Sequence, residues 1–600
     1  MRTGVFFCQV DDQWKIDIDA IAKYSANLPE VEMVKNLGIK PRLNVETLIE
    51  TINSRKLERL VIAGDMPGYY KPVFTKAMAK TGGNVDEVRL ASFQEHGAKN
   101  GQSLDRAKAI IACATMAVPF SLAAVPGGNP VNHSTLVIGA GIAGIQASLE
   151  IANAGKQVYL IEQSGTIGGH MAMFDKTFPT LDCAACILTP KMVDVGQHEM
   201  INLMTRAKVV SVGGKPGAYK VKIRQKARRV DVKSCVACGL CVDACPVKVK
   251  SEFDAGISIR KAIYIPFPQA VPNTYLIDEE HCRYVLNDGE KCGVCVRKCP
   301  KDCIHLDEED ATVDVEVGNV ILATGYELLD ISKIDQYGYG KFPNVVTSLE
   351  FERLTNASGS TGGRIVTKIK QYNRKTKQDE WVFSPEGVPP RSVAIIHCVG
   401  SRNKKYNAYC SRVCCMYSLK FAHLIKEKIP NVNVYEFYID MRAFGKGYEE
   451  FAERIREEGT YIIRGHSASV VMNKNQMVVR GEDIFNDRLV EFDVDMVVLA
   501  VGLVPSQGTE ELSRLLGVQR DVDGWFSELD YNGSPTDTDK GGIYVAGMCQ
   551  APKDIPDTVA QASAVAAGVL RSLTSGQGIG SMSSLTLSEI EEKAKTVHAI

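Results

Sequence analysis

The 600-residue chain has no excess charge of either sign, and this argues against two classes of partner. It carries 70 basic and 71 acidic side chains, for a net charge of −1 with histidine neutral. Nucleic acids and anionic membrane surfaces attract proteins through a basic excess that is missing here. We therefore expect no nucleic-acid partner and no direct membrane contact.

Long apolar runs are absent as well. The most apolar window, Ala109 to Val125, is shorter than the roughly 20 apolar residues of a membrane-spanning helix and contains Pro119. It predicts a buried helix instead. No secretory signal opens the chain, so the sequence predicts a cytoplasmic protein.

Cysteine, by contrast, is abundant. The chain has 18 cysteines, and many lie in C-x-x-C groups rather than spread as a secreted disulfide framework. In a chain long enough for about three to five domains, this pattern indicates metal or redox centres in a reducing compartment.

A glycine fingerprint organises the middle of the chain. The apolar run Leu136–Ile138 predicts a buried strand, and Gly139, Gly141 and Gly144 follow it as G-x-G-x-x-G before a helix-forming segment. The first glycine permits a tight turn, the second lets a pyrophosphate approach the backbone, and the third lets the helix pack closely. Glu162 ends the next apolar run, where an acidic side chain can accept hydrogen bonds from a ribose. These parts together predict a dinucleotide site, whereas the glycines alone could form only a tight turn.

Three later motifs select the dinucleotide. Residues 165–169 read GTIGG, residues 320–326 read VILATGY and residues 542–547 read GIYVAG. In this order they resemble the two-dinucleotide-domain flavoproteins of the thioredoxin reductase type. The resemblance implies FAD at the first fingerprint. In many relatives the last motif ends in an aspartate that meets the flavin ribityl chain, where this sequence has Met548.

The candidate FAD-binding residues come from the fingerprint and these motifs. Lys191, in TPKM, either contacts the flavin or stabilises a loop. Asp554 and the helix from Asp557 are expected to cover the pyrophosphate or the flavin edge, because a helix N-terminus stabilises negative charge. The full candidate set is Gly139, Gly141, Gly144, Glu162, Gly168, Gly169, Lys191, Thr324, Gly325, Gly547, Met548, Lys553 and Asp554.

A cysteine-rich segment interrupts the flavin pattern between residues 233 and 310. Its first run has the C-x2-C-x2-C-x3-C-P spacing of bacterial ferredoxins, in which the fourth cysteine binds the other cluster when two are present. A second, irregular run also ends in Cys-Pro. Cluster one would then take Cys235, Cys238, Cys241 and Cys299. Cluster two would take Cys282, Cys292, Cys295 and Cys245.

Two alternatives accompany this assignment. Cys303 is a rival to Cys282 as a ligand of cluster two. Zinc also accepts four thiolates, but closed zinc sites seldom use two interlaced runs that each end in Cys-Pro. We therefore predict two [4Fe–4S] clusters in this segment.

The second Rossmann-type unit lacks the feature that binds a nucleotide. The strand-like run Val393–His397 should lead into a second glycine fingerprint, but the chain continues as CVGSR with one glycine. Cys398 stands at this turn, and Cys410, Cys414 and Cys415 follow it. A cysteine after a strand and three at a helix start can converge on one metal cluster. The alternative is a group of buried free thiols.

These features in one chain resemble the A-type subunit of heterodisulfide reductase. Residues 182–192 (DCAACILTPKM), 266–272 (PFPQAVP) and 552–562 (PKDIPDTVAQA) match the family too, and the likeness runs from about residue 1 to 575. It implies an FAD- and cluster-bearing oxidoreductase subunit that in several members bifurcates electron pairs between a high-potential acceptor and ferredoxin. It also implies a non-standard [4Fe–4S] cluster, the third, on the four cysteines Cys398, Cys410, Cys414 and Cys415. Lys420 would then approach the flavin N5 region as the candidate catalytic residue.

The resemblance further implies partner subunits. These are B- and C-type subunits, an electron donor of the hydrogenase or dehydrogenase type, and ferredoxin, with a homodimer inside a larger hetero-oligomer. Two departures matter. In the first domain Cys8 remains, but Val10, Gly64 and Gly97 stand where partner ligands would be, so its cluster is expected to be lost. Many relatives also carry a second ferredoxin module after the flavin domain, and we expect none here because residues 576–600 contain no cysteine.

The motifs divide the chain into an N-terminal α/β domain, a linker, an FAD-binding Rossmann domain with an inserted ferredoxin domain, a degenerate NAD-type Rossmann domain and a tail. The N-terminal strand candidates are Val5–Cys8, Val31–Val34, Leu60–Ala63 and Val88–Ala91. The N-terminal domain covers residues 1–125 and the linker 126–133. The FAD-binding domain covers 134–232 and resumes twice, at 311–390 and 506–575. The inserted ferredoxin domain covers 233–310, the degenerate NAD-type domain 391–505 and the tail 576–600.

One motif and three functions stay open at this stage. Cys183 and Cys186 form an isolated C-x-x-C that could be a redox dithiol, extra metal ligands or packed thiols. The favoured function is an electron-transferring flavin and iron–sulfur subunit that depends on partners. The alternatives are a self-contained NAD(P)H-dependent flavin disulfide reductase and a quinone-linked electron-transfer subunit of a related complex.

Overall fold

Short buried apolar runs alternating with helices build three parallel sheets along the chain. The fold is taken from a computed structural model, which describes residues 1–10, 16–96, 98, 104–120, 129–287, 289–373, 377–474, 476–530, 533–575, 577–578 and 585–597. The expected architecture is confirmed: two Rossmann units, a cysteine-rich insert in the first, and a small N-terminal α/β domain.

The N-terminal domain is a four-stranded parallel sheet with strand order β2-β1-β3-β4. Each of the four predicted apolar runs lies in one of its strands. Its elements are β1 Thr3–Gln9, α1 Ile18–Ser25, β2 Val31–Ile39, α2 Val45–Arg55, β3 Arg59–Gly64, α3 Lys71–Lys80, β4 Val88–Ser92 and α4 Leu104–Thr115. Gly97 and the end of the apolar window, residues 121–125, lie outside the described residues.

The first Rossmann unit begins after a short strand, β5 Asn129–Pro130. Its elements up to the insert are β6 Thr135–Ile138, α5 Ile142–Asn153, β7 Val158–Glu162, α6 Ala184–Gln197, β8 Ile201–Thr205, β9 Ala207–Lys215 and β10 Ala218–Gln225. The glycine fingerprint lies between β6 and α5, where the sequence predicted it. β9 and β10 turn back as an antiparallel pair beside the parallel sheet.

The cysteine-rich insert separates two strands that pair directly. Its elements are α7 Leu240–Ala244, β11 Lys248–Lys250, β12 Ile259–Lys261, β13 Ile263–Tyr264, β14 Leu276–Ile277 and α8 Val294–Lys298. The chain then returns as β15 Ala311–Val317, which pairs antiparallel with β10. The insert therefore connects two paired strands of the antiparallel sheet and does not interrupt the first Rossmann unit.

The second Rossmann unit starts soon after the chain returns. β16 Asn319–Leu322 rejoins the first sheet, and β17 Tyr326–Leu328 crosses to the second unit. That unit comprises β18 Val345–Thr347, α9 Ser348–Thr355, β19 Ile369–Asn373, β20 Gln378–Val382, β21 Ser392–Val399, α10 Cys414–Lys428, β22 Asn433–Tyr438, α11 Tyr448–Glu457, β23 Tyr461–Arg464, β24 Ser467–Asn473, β25 Gln476–Asp483, β26 Arg488–Val494 and β27 Met496–Val501. Its parallel sheet has the order β18-β27-β21-β22-β23.

The second sheet includes residues that the sequence placed elsewhere. Residues 345–355, assigned to the FAD-binding half, supply its edge strand β18 and helix α9. The apolar run Val345–Thr347 is only three residues long, so its sheet could not be chosen from the sequence.

The C-terminal part completes the first sheet. β28 Leu503–Pro505 pairs with β17, and α12 Thr509–Leu516, β29 Ile543–Val545 and α13 Ile555–Ser575 follow. β29 gives the first parallel sheet the order β29-β16-β6-β7-β8. The segment predicted as a tail contains β30 Gln577–Gly578 and α14 Leu587–Val597, whose Ile590 is fully buried in the N-terminal domain core.

Within the described residues, no helix is long and apolar enough to cross a membrane.

Candidate functional site

A cavity of about 1060 Å³ opens between the two Rossmann units at the glycine fingerprint. Its wall includes the turn after β6, the loop after β7, the motif after β16 and the start of α13. Of the predicted FAD-binding residues, the wall contains Gly139, Gly141, Glu162, Gly168, Gly169, Thr324, Gly325, Met548, Lys553 and Asp554. The structure thus brings together ten residues from four segments that are distant from one another in the sequence.

Two of the three fingerprint glycines, Gly139 and Gly144, occupy positions that a side chain could not. Gly139 has φ +100°, and a Cβ there would lie 2.4 Å from the Ala323 carbonyl oxygen. A Cβ on Gly144 would lie 1.9 Å from the Gly139 oxygen, so this glycine lets α5 pack against the turn. Gly141 faces open space, with nothing within 4 Å of a Cβ. This is the close backbone approach that a pyrophosphate requires.

Glu162 lies beside the fingerprint at the end of β7. One carboxylate oxygen accepts the Ala140 N–H at 2.9 Å, and the other accepts the Ser164 N–H at 2.9 Å. The carboxylate is therefore fixed in the cavity wall, where its remaining lone pairs can accept hydrogen bonds from a ribose.

The motif after β16 offers an unsatisfied polar atom. Thr324 Oγ1 is buried and has no hydrogen-bond partner among the described residues, although it lies in the cavity wall. A buried hydroxyl without a partner is costly, so this atom is suited to a ligand that supplies one. Next to it, Tyr326 stacks on His170 with 4.4 Å between ring centroids.

The C-terminal motif closes another side of the cavity. A Cβ on Gly547 would lie 2.8 Å from the Ala143 Cβ, so Gly547 brings this motif against α5. The Lys553 Nζ donates to the Gly547 and Ala551 carbonyls and to Gln550 Oε1. Burial lowers the pKa of Lys553 to about 8.

Three predicted residues have other positions or roles. Gly144 and Gly547 pack the wall from behind. The Lys191 Nζ donates to Gln146 Oε1 at 2.8 Å and is not among the residues that line the cavity. This contact joins α6 to α5 and corresponds to the stabilising role that the sequence left open.

A buried ion pair lies on the side of the cavity that the second Rossmann unit provides. Lys420 of α10 binds Glu352 Oε1 of α9 and donates to the Lys176 carbonyl at 3.0 Å. Both side chains are at most 5% exposed. Burial raises the pKa of Glu352, although Lys420 opposes this effect.

Glu352 was missed by sequence reasoning. It lies in α9 between Phe351 and Arg353, which are also buried. Seven of the eight residues of α9 are buried, so an amphipathic pattern gave no signal for Glu352. Its partner, 68 residues away, could not be identified from spacing.

The first group of insert cysteines surrounds a small cavity of about 20 Å³. Cys235, Cys238, Cys241 and Cys299 line it, as the assignment of cluster one requires, and Cys303 lines it too. The Cys303 sulfur lies 3.4 Å from the Cys299 sulfur. Burial, and then its contact with Cys299, raises the pKa of Cys303 to about 12.

The second group is centred on Cys295. Burial, and then the charges of Cys282, Cys245 and Cys292, raises the pKa of Cys295 to about 11. These four are the residues assigned to cluster two. The structure therefore places Cys282 with this group and Cys303 with the other.

A third group of cysteines meets at the C-terminal end of β21. Cys398 has a positive φ of +56°, and Gly139, at the end of β6 in the first unit, also has a positive φ. Hydrogen bonding from Cys414 lowers the pKa of Cys398 to about 7 and that of Cys415 to about 4. Burial raises the pKa of Cys410, and the neighbouring charges of Cys398 and Cys415 raise it further.

His397 supports this group from the strand itself. Its Nε2 lies 2.7 Å from Glu436 Oε1, and both side chains are buried. Burial alone would lower the pKa of His397, but the neighbouring Cys415 and the contact with Glu436 raise it to about 10.

The cysteine groups do not form a single-ion site. Within the part of the chain that the structure describes, no three His, Cys, Asp or Glu side chains are arranged to hold one metal ion. In a [4Fe–4S] cluster each cysteine binds a different iron atom, so the four sulfurs stand apart around a cube. The all-thiolate donor sets fit such clusters.

The N-terminal domain offers a different environment. Cys8 is fully buried, and burial followed by the charge of Asp65 raises its pKa to about 12. A Cβ on Gly64 would lie 2.0 Å from the Cys8 carbonyl oxygen, so no side chain fits there. These positions supply one thiol and no second ligand.

Comparisons with known proteins identify the chain's relatives. Residues 135–176 match the FAD dependent oxidoreductase family, and residues 228–251 match the 4Fe-4S binding domain. The A-type subunit of H(2):CoB-CoM heterodisulfide,ferredoxin reductase from Methanothermobacter marburgensis is 39% identical over 594 residues, covering 96% of this chain and 86% of the relative. The chain belongs to the family of heterodisulfide reductase A-type subunits. A second member, an iron-sulfur A-type subunit of CoB--CoM heterodisulfide reductase from Methanopyrus kandleri, is 40% identical over 590 residues, with 96% and 86% coverage.

Membership of this family agrees with the two domain matches. The chain is an FAD- and [4Fe–4S]-containing electron-transfer subunit of an oxidoreductase. Among solved structures, thioredoxin reductase of T. acidophilum aligns with 13% identity and a TM-score of 0.39, covering 73% of this chain and 99% of that one.

Proposed function

We propose that this chain is an electron hub in which a third [4Fe–4S] cluster takes the position where a pyridine nucleotide would bind. Cys398, Cys410, Cys414 and Cys415 would hold that cluster. The observation that carries the proposal is their position relative to the FAD cavity. The cysteines gather at the start of α10, while Val413, Tyr417 and Lys420 of the same segment line the cavity.

The two sites therefore meet at the start of α10, where Cys414 and the cavity-lining Tyr417 are three residues apart and lie next to each other on the helix surface. A cluster held there and a flavin in the cavity would exchange electrons over a short path through protein. Binding of a pyridine nucleotide at this position is less well supported, because Cys398 stands at the turn where a phosphate would need glycine.

The residues of the cavity have separate tasks. The glycine turn and the N-terminus of α13 would hold the pyrophosphate, and Glu162 the ribose. The bound FAD would supply the conversion between two-electron and one-electron transfer. Lys420 and Glu352 would hold a proton at the buried wall, since Lys420 Nζ is the charged donor there and Glu352 fixes its position.

We further propose that the chain splits electron pairs between two acceptors. The printed names of relatives support this, because they include heterodisulfide and ferredoxin together. By the same likeness, the partners would be B- and C-type subunits, an electron donor of the hydrogenase or dehydrogenase type, and ferredoxin. The two ferredoxin-like clusters of the insert would carry electrons between the FAD site and a partner.

Cofactor analysis tests the number of clusters. Three four-iron clusters and one dinucleotide site predict about twelve irons and one FAD per chain. A count near eight would remove the third cluster, and a count near sixteen would require a fourth. Cys414→Ala should lose about four irons while its FAD remains bound.

Electron splitting needs the complex. The chain purified anaerobically with its partner subunits should reduce ferredoxin and a heterodisulfide together, in equal numbers of electrons. Reduction of either acceptor alone at an undiminished rate would contradict bifurcation and leave simple electron transfer.

A further inference from the structure

We propose that Cys183 and Cys186 form a redox-active dithiol that exchanges electrons with external disulfides. This C-x-x-C belongs neither to the FAD cavity wall nor to the three cysteine groups. Cys183 is the N-cap of α6, and Cys186 lies in the first helical turn with its side chain exposed. Their sulfur atoms are 2.6 Å apart.

The pair is close to disulfide geometry. A disulfide bond is about 2.05 Å long, so closing it requires the sulfurs to approach by roughly 0.5 Å. Small side-chain rotations can supply this change. Both thiols can also reach solvent, because Cys183 is half-buried and Cys186 exposed.

The hydrogen bonds give the two thiols different roles. Cys183 Sγ accepts the Cys186 backbone N–H at 3.3 Å and the Cys186 thiol at 2.6 Å. Two donors and a helix N-terminus stabilise negative charge on Cys183. The geometry therefore makes Cys183 the nucleophile and Cys186 the resolving thiol.

The exchange balances without a further reactant. The Cys183 thiolate attacks one sulfur of an external disulfide, so a mixed disulfide forms and the first external thiolate leaves and takes a proton. The deprotonated Cys186 then attacks the Cys183 sulfur, and the second external thiolate leaves and takes the other proton. Two protein thiols are oxidised to one disulfide while one external disulfide is reduced to two thiols. The reverse reaction restores the dithiol.

The position of the pair supports an external reactant. Behind the exposed face of α6, Leu188 and Met192 pack under Gly168, which is in the cavity wall. Cys183 forms a β-bridge with Lys176 on the segment that lines the cavity. The dithiol thus lies on the outer side of that wall, open to solvent.

A single peptide reports the state of both thiols. Trypsin should release residues 177–191, which contain Cys183 and Cys186 and no other cysteine. The full chain is equilibrated anaerobically in buffers of reduced and oxidised glutathione, alkylated and digested. As oxidised glutathione increases, we expect the doubly alkylated peptide to give way to an unalkylated peptide that is two hydrogens lighter than the free dithiol. Reduced glutathione should reverse the change, and the bound iron should stay constant throughout.

Variants test the assigned roles. Cys186→Ser should trap a stable mixed disulfide with glutathione on Cys183, and Cys183→Ser should trap far less. Cys113→Ser, which removes a buried thiol of the N-terminal domain, should behave as the wild type. A parallel arm with insulin as the disulfide distinguishes a protein reactant from a small one, and oxidation by either supports the proposal.

Two outcomes would overturn it. Full alkylation of the peptide in every buffer would make the pair packed thiols. Protection from alkylation that is lost on removal of iron would make them metal ligands. The wild-type peptide decides between these results even if a serine variant fails to fold.

Discussion

At the scale of single residues, the FAD cavity carries an ion pair that has almost no access to water. Lys420 and Glu352 come from different helices and meet only in the folded chain. Breaking a buried pair by removing one partner leaves the other charge without compensation. The pair therefore couples the stability of the second Rossmann unit to the cavity wall.

Lys420→Met should lower the free energy of unfolding by roughly 3–5 kcal/mol, because Glu352 is left buried without its counter-charge. Urea unfolding of the full chain, followed by tryptophan fluorescence, measures this. Adding Glu352→Gln to Lys420→Met should restore part of the loss. The matched control is Lys426→Met, since Lys426 is on the same helix and its Nζ donates to the Val432 carbonyl at 3.5 Å. Equal losses in the two lysine variants would contradict the role of the ion pair.

His170 gives the site a pH dependence. Burial lowers its pKa from 6.5 to about 4. Because the folded-state pKa is depressed, the contribution of His170 to stability is fully present above the unfolded-state pKa of 6.5. It decreases as the pH falls from 6.5 and is lost once the pH has fallen through the folded-state pKa of about 4. When the pH falls from 7.5 to 5.5, the free energy of unfolding of the wild type should therefore decrease by about 1 kcal/mol more than that of His170→Phe. The phenylalanine keeps an aromatic ring stacked on Tyr326.

Denaturant titrations at the two pH values check this prediction. His133→Gln, which changes an exposed histidine, should follow the wild type. A pH response in His170→Phe as large as that of the wild type would show that other groups cause it.

At the scale of elements, the insert interlaces two cysteine groups that are each centred on a short helix. Cys241 lies in α7 and Cys295 in α8, and both are buried. The chain between the helices brings Cys282 to the group of Cys295. This arrangement separates Cys282, the favoured ligand of cluster two, from its rival Cys303.

Cys282→Ala should lose one cluster, about four irons, because it removes a member of the Cys295 group. Cys303→Ala should keep both clusters of the insert, since Cys299 remains beside the other group. Anaerobic iron and sulfide analysis of the two variants gives the answer. Loss of a cluster in Cys303→Ala alone would reverse the assignment.

The sequence predicted the elements that have strong local signals. The fingerprint after β6, the ferredoxin spacing and the alternation of strands in the first domain each depend on neighbouring residues, so they could be read directly. The edge strand Val345–Thr347 could not, because a three-residue strand takes its place from the sheet it joins. The sequence of the tail did not predict α14, because its apolar residues are buried only by packing against the N-terminal core.

At the scale of the whole molecule, the candidate FAD cavity adjoins a group of buried cysteines. The FAD site belongs to the first Rossmann unit, and α10 of the second unit carries the cysteine group behind the cavity wall. The fold brings together the cavity-lining residues that motifs predicted, whereas Glu352 and His397 depend on contacts between elements that lie apart in the sequence. The arrangement favours electron transfer between fixed cofactors over hydride transfer from a nucleotide.

The central claim is that a cluster has replaced the nucleotide, and anaerobic mixing with NADH or NADPH tests it most directly. The purified holoprotein is mixed with each nucleotide in a stopped-flow instrument while the flavin absorbance is followed. We expect no bleaching by either nucleotide, with full bleaching by dithionite or a reduced partner subunit. Rapid bleaching by NADH or NADPH would contradict the claim and make the chain a self-contained reductase.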